Sequence, residues 1–146
     1  MTAHYTSKHG TVSRCPEELF MAFTDLRNFA RMAPAQYQGS IQADFDSLRA
    51  TVQGFTIGVR IDDRQPYRLI RIGSSESPVE FVAVLHFEPA AFSGKTDFSI
   101  DLDANLNFMM KTMFGSKLQQ ALDKIVDSLV DISEGRMPAG VPSDLV

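Results

Sequence analysis

Three histidines, one cysteine and a few hydroxyl- and carboxylate-rich stretches are the residues of this chain whose types admit chemistry. His4, His9 and His86 include no pair at metal-ligand spacing, and Cys15 has no neighbouring histidine to hold a zinc ion or a thiolate, so no metal and no cofactor is expected. The stretch DLDANLN, residues 101–107, places oxygen-bearing side chains at alternate positions like a calcium loop. It carries Leu106 where the loop needs glycine and Thr112 where a bidentate glutamate belongs, so a strand face followed by a helix cap explains it better. No G-x-S-x-G element announces a nucleophile, and GSSES at 73–77 reads as a turn. Among the histidines and hydroxyls, His9 is the polar residue to watch. If Tyr5, Ser7, His9 and Thr11 share the inner face of a first strand, an imidazole meets the interior with hydroxyls beside it, although a histidine hydrogen-bonded within a half-buried strand is the commoner outcome.

The other unusual segment is FMMKTMF, residues 108–114. Methionine is flexible and polarizable, so several together make a wall that adapts to a guest, but methionine and phenylalanine at helical spacing also make ordinary core or an oligomer face. On a helix, 108, 109, 110, 113 and 114 cover more than half the circumference, so some of them must meet a loop or a second subunit.

The elements that position these residues follow from composition and period. With 146 residues, 44% hydrophobic and 22% charged, the chain suits one globular domain, expected over 1–134 with a loose tail at 135–146. A net charge of −4 without a lysine or arginine cluster removes nucleic acid as an expected partner. A single cysteine, no apolar signal core in MTAHYTSKHG and no run long enough to span a bilayer point to a soluble, cytoplasmic protein.

HYTSKHGTV, residues 4–12, reads as a polar first strand. In CPEELFMAFTD, Pro16 suits a first helical turn, Glu17 and Glu18 complement its dipole, and Cys15 takes the cap. A second short helix, LRNFARM, follows Asp25. From Gly39 to Asp103 the period becomes two, with turns at regular intervals, which predicts six antiparallel strands. Their inner faces include Phe81, Leu85, Phe98 and Ile100, and Arg60 and Arg71 fall on outer faces. A long helix over about 105–133, capped by Asn105 or Asp103 and stopped by Gly135 and Pro138, lays a stripe of Leu106, Met110, Met113, Leu118, Leu122, Ile125, Leu129 and Ile132 on the sheet.

Strand, two short helices, six strands and a long helix resembles the helix-grip fold of the START-like, or SRPBCC, superfamily. SRCPEELFMAFTDLRNFARM is similar to that superfamily's opening, GFTIGVRIDDRQPYRLIRI to its central hairpin and NFMMKTMFGSKLQQALDKIVDSL to its closing helix, which together cover nearly the whole chain. The resemblance implies an α+β fold in which a curved antiparallel seven-stranded sheet wraps the C-terminal helix, with two short helices after strand 1 and a cavity between sheet and helix. It implies ligand-lining positions at His9, Phe29, Met32, Tyr37, Phe81, Leu85, Phe98, Ile100, Met109, Met110 and Met113 and a hydrophobic small molecule, lipid-like or aromatic, as partner. A cyclase or hydrolase using His9, Tyr37 or Asp44, and a co-chaperone-like or homodimeric protein associating through Met109 and Phe114, are the alternatives. No catalytic motif favours the enzyme.

Overall fold

The computed structural model describes residues 2–32, 39–52, 54–91 and 94–135. Along the chain run β1 (Thr2–Thr6), β2 (Gly10–Val12), α1 (Pro16–Phe23), α2 (Arg27–Met32), β3 (Ile41–Ala43), β4 (Ser47–Val52), β5 (Phe55–Gln65), β6 (Leu69–Glu76), β7 (Phe81–Pro89), β8 (Thr96–Asn105) and α3 (Phe108–Ser133). The strands form one curved antiparallel sheet in the order β1-β8-β7-β6-β5-β4-β3, with β2 pairing β8 beyond the end of β1. Alternation of inward apolar and outward polar residues over β5 to β8 builds this sheet with one dry face, against which α1 and α3 pack.

The sheet has eight strands rather than seven because the first predicted strand breaks in two. Thr6 pairs with Asp101 and Gly10 with Phe98, so three residues, 7–9, stand opposite two, 99–100. This bulge inserts one residue and inverts the alternation. Ala3 and Ser7 are buried before it and Val12 after it, while His9 and Thr11 are exposed. The expectation that His9 faces the interior is therefore corrected: period two holds only while the ladder is continuous.

The bulge is held from both sides. Ser7 N–H donates to Ile100 O and Ile100 N–H donates to Ser7 Oγ, each at 2.8 Å. Residues of α3 take the rest: Lys8 N–H donates to Asp123 Oδ1 at 2.7 Å, Gln119 Nε2 donates to Thr6 O at 2.7 Å, and Lys8 Nζ lies 2.6 Å from Asp127. Gly10 then passes directly beneath the helix. A methyl group there would stand 2.6 Å from Val126 Cγ1 and 2.9 Å from Val130 Cγ2.

That contact fixes the rotation of α3. Leu122 and Val126 are buried, Leu118, Leu129 and Val130 are half-buried, and Met113, Ile125 and Ile132, expected on the inner stripe, are exposed. Spacing by three and four fits two overlapping stripes on this helix: the expected one holds at Met110, Leu118, Leu122 and Leu129, and the glycine beneath Val126 turns Val126 and Val130 inward in place of Met113, Ile125 and Ile132. The helix also starts later than expected. β8 continues to Asn105, and Asn107 is the cap, its side chain accepting from Met110 N–H at 2.8 Å. Gly135, at φ +80, ends it, and the predicted stop Pro138 lies outside the described residues, as does the tail beyond Gly135.

At the other end of the sheet α1 fills the core with rings. Phe20 meets Phe87 edge-on at 6.1 Å, and Phe23 stacks on Phe98 at 5.8 Å. The α1–α2 corner is tied to the sheet by Arg64, whose guanidinium donates to Thr24 Oγ1 at 2.6 Å, to Thr24 O at 2.9 Å and to Asp46 Oδ1 at 2.7 Å while lying 4.6 Å over the Phe45 ring. Among the described residues no helix is long and apolar enough to cross a membrane.

Gly10→Ala is expected to lower the stability of the fold by about 1–3 kcal/mol through overpacking against Val126 and Val130. Urea unfolding checks it: the midpoint should fall with the slope unchanged.

Candidate ligand groove

The core divides into a filled part and an open part. Leu85, Phe87, Phe98 and Ile100 pack with α1, Leu122 and Val126 into one cluster, and a second, smaller cluster is made of Ala3, Ala104 and Leu106. Ala3 and Ala104 are partners across β1 and β8, and Phe81 is the partner of Ala104 on β7. Two alanines side by side leave room where the other end of the sheet carries phenylalanines. Over Ala104 lies a groove of about 560 Å³.

Its floor is Leu102, Ala104 and Phe81, and its helical wall is Met110, Phe114 and Leu118. Ile57 of β5, the Ser77–Val79 turn and Leu106 complete it. Ser77 is the single polar side chain among these, and its Oγ is already engaged by Val79 N–H at 3.2 Å. None of the lining side chains is an acid, a base or a thiol, so what the groove can do is bury apolar surface.

Of the expected lining residues, the structure brings Phe81 and Met110 together in the groove. Leu85, Phe98 and Ile100 are fully inside the filled core, and Phe29 is half-buried with its ring 5.1 Å from that of Phe23. Met109 and Met113 project outward at 68% and 57% exposure. His9 is exposed on the outer side of the sheet, with Nδ1 2.8 Å from Asp97 Oδ1. Met32 closes α2 with its side chain outside the described residues, and Tyr37 is also outside them. Asp44, named for the enzymatic alternative, closes the β3–β4 turn. The Ser47 hydroxyl, the Ser47 N–H and the Asp46 N–H all donate to it and hold its carboxyl below the usual range. Sequence reasoning missed Ile57, Val79, Ala104 and Phe114 as wall residues; the alanine at 104, small where its strand neighbours are large, was the available signal.

All three histidines instead pair with the outward aspartates of β8. His4 Nδ1 lies 2.6 Å from Asp103, His9 meets Asp97, and His86 Nε2 lies 2.8 Å from Asp101, which also accepts from the Thr6 hydroxyl at 2.9 Å. The hydrogen bond to Asp103 raises the His4 pKa above 6.5 against the opposing effect of desolvation. Burial pushes the Asp101 carboxyl upward, but Thr6, His86 and His4 outweigh it and leave it below the ordinary value. Among the described residues no group of three or more such side chains is placed to hold a metal ion.

No protein-family model matches the sequence, and no curated protein is similar to it at a significant level. Solved structures are similar in shape. Truncated norcoclaurine synthase from Thalictrum flavum superposes with a TM-score of 0.66 at 11% identity, over 92% of each chain. The same synthase in complex with dopamine and hydroxybenzaldehyde gives 0.63 at 11% identity over 83% of each chain. Mll3558 from Rhizobium loti gives 0.61 at 13% identity over 84% of this chain and 92% of that one. The chain shares the helix-grip fold of these structures. Identities this low speak to the fold alone.

Two outcomes check the electrostatics and packing described above. His4 is protonated more readily folded than unfolded, so its pairing stabilises below its unfolded pKa of about 6.5 and is lost as pH rises through the raised folded value. His4→Gln should therefore be less stable than the parent near about pH 5 and equal to it near about pH 9 in denaturant titrations. Among the described residues the Tyr5 hydroxyl is a buried side-chain atom without a hydrogen-bond partner, facing Gly115. Tyr5→Phe should leave stability unchanged or raise it by about 1–3 kcal/mol, measured by thermal unfolding.

Proposed function

We propose that this protein binds a hydrophobic small molecule, lipid-like or aromatic, in the groove between the β7–β8 end of the sheet and the first half of α3. The observation that carries the reading is the groove itself: about 560 Å³ walled by Phe81, Leu102, Met110, Phe114 and Leu118, with Ser77 as the one polar side chain among its described lining residues. Wet apolar concavities of this size are costly to leave open, and each Å² of ligand surface buried there is worth about 25 cal/mol. Met110 is half-buried and Phe114 is exposed at the rim, and the flexible thioether of Met110 lets the wall adjust to guests of different outline. A neighbour of the same fold, norcoclaurine synthase, was solved in complex with dopamine and hydroxybenzaldehyde, which supports an aromatic guest as one class to test.

Binding is favoured over catalysis because the described lining offers no group to move a proton. In this reading residues 1–134 act as one domain, and a chain with Cys15 as its only cysteine suits a reducing cytoplasm.

The neutral dye N-phenylnaphthylamine tests the proposal. It should bind the parent saturably with a rise in fluorescence, and Met110→Glu, which sets a charge in the wall, should weaken it at least about 10-fold. Equal binding by the two proteins, with unchanged circular dichroism, would remove the groove as the site.

A further inference from the structure

The segment 108–114 has a second face that the groove does not use. Phe108 is 78% exposed, Met109 68% and Met113 57%, and Phe114 and Ile57 stand at 42% and 41% on the groove's rim. Five large apolar side chains thus crowd one end of the molecule, and Met109 and Met113 point away from the groove wall formed by Met110 and Phe114. A guest in the groove cannot cover them.

Charge distinguishes the candidates for what does. Lys111 and Lys117 are exposed on the same stretch of helix, and between Asp103 and Asp123 the chain has no acidic residue, although its net charge is −4. The N-terminus of α3 adds its own partial positive charge. The acidic side chains Asp62, Glu80 and Asp103 line a separate hollow with Thr2 and Val82. A second copy docking the same patch about a two-fold axis would bring two surfaces of the same positive sign together, with no acid between Asp103 and Asp123 to answer the lysines. Apolar side chains interleaved with lysines on a helix end suit instead the boundary of a bilayer with negative headgroups: the rings and thioethers enter the acyl boundary and the lysines reach the phosphates.

We infer that the N-terminal end of α3 docks on an anionic membrane surface, with Phe108, Met109 and Met113 inserted and Lys111 and Lys117 on the headgroups. The inference does not depend on a ligand in the groove, since the residues that carry it are those the groove leaves out. It makes the protein peripheral, with the groove's mouth held at the lipid boundary.

Vesicles of phosphatidylcholine, with and without phosphatidylserine, provide the test. The parent should sediment with the serine-containing vesicles, little with the neutral ones, and less as salt rises. Lys111→Glu with Lys117→Glu should lower the partition at least about 25-fold, taking about fivefold for each lysine near the surface. Because the chain has no tryptophan, Phe108→Trp introduces a single reporter whose emission should shift to the blue on serine-containing vesicles and be quenched by brominated lipid. All of these positions are exposed, and circular dichroism confirms that the variants fold. No partition of the parent, equal partition to neutral vesicles, or an unmoved emission from the Phe108→Trp variant would overturn the inference. So would concentration-dependent dimerisation abolished by Met109→Ser and Met113→Ser, which would assign the face to a second copy. Loss of dye binding with vesicle binding intact would remove the groove reading and leave this one standing.

Discussion

The close passage of Gly10 beneath Val126 is the constraint on which the rest of this molecule depends. A helix resting on a sheet can rotate about its axis at little cost when its apolar side chains spread over more than one stripe, and α3 has such a spread. Gly10 removes that freedom because it lets Val126 and Val130 settle where any side chain on the strand would collide with them. The bulge at 7–9 puts that glycine in place by adding one residue to the strand, and Asp123, Asp127 and Gln119 on the helix hold the bulge in turn. Backbone and helix thereby fix each other. The groove wall and the exposed methionines are both consequences of this one rotation.

A second consequence is the asymmetry of the core. Where α1 covers the sheet, aromatic rings close the interior, and Arg64 locks the α1–α2 corner by donating to Thr24 and Asp46. Where, among the described residues, the start of α3 is the helix that borders it, Ala104 faces the space between Phe81, Leu102 and Leu106 and leaves it open. Burial in the first region supplies stability, since rings such as Phe87 and Phe98 are each worth about 3–5 kcal/mol against truncation. The second region can stay open because the first does not depend on it.

The architecture was legible because it rests on period. Alternation from Ile41 to Leu102 fixes strands and faces, Pro16 with Glu17 and Glu18 fixes a helix start, and a glycine at 135 fixes a helix end. The groove was less legible, for two physical reasons. Period two continues through His9 on paper, whereas one inserted residue turns His9 toward Asp97 and solvent; nothing local in TSKHG distinguishes a bulge from a strand. The rotation of α3 is likewise a tertiary fact. Met113, Ile125 and Ile132 match a helical stripe as well as Val126 and Val130 do, and only a glycine more than a hundred residues earlier decides between them. Phe81 was placed with the cavity because strand parity does not depend on that rotation, and Met110 because it lies on the part of the stripe that the rotation keeps inward, while Leu85, Phe98 and Ile100 belong to the same inner face but lie in the filled core.

The seven residues of FMMKTMF gain their meaning from making nearly two turns of a helix supported on one side only. A fully packed helix would hide five such side chains, and a fully free one would expose them all. Here Met110 and Phe114 flank the groove while Phe108, Met109 and Met113 look outward, so one short segment borders two apolar environments at once. Under the two readings proposed above, that adjacency couples them. A guest that orders the Met110 and Phe114 side chains also changes the freedom of the turn that carries Met109 and Met113, and linkage requires the effect to be reciprocal: whatever the surface does to the guest's affinity, the guest does to the protein's affinity for the surface. The sign of that coupling follows from whether the ordered turn is the one the bilayer favours. A groove placed under the middle of α3, walled by Leu122 and Val126, would have had no such connection.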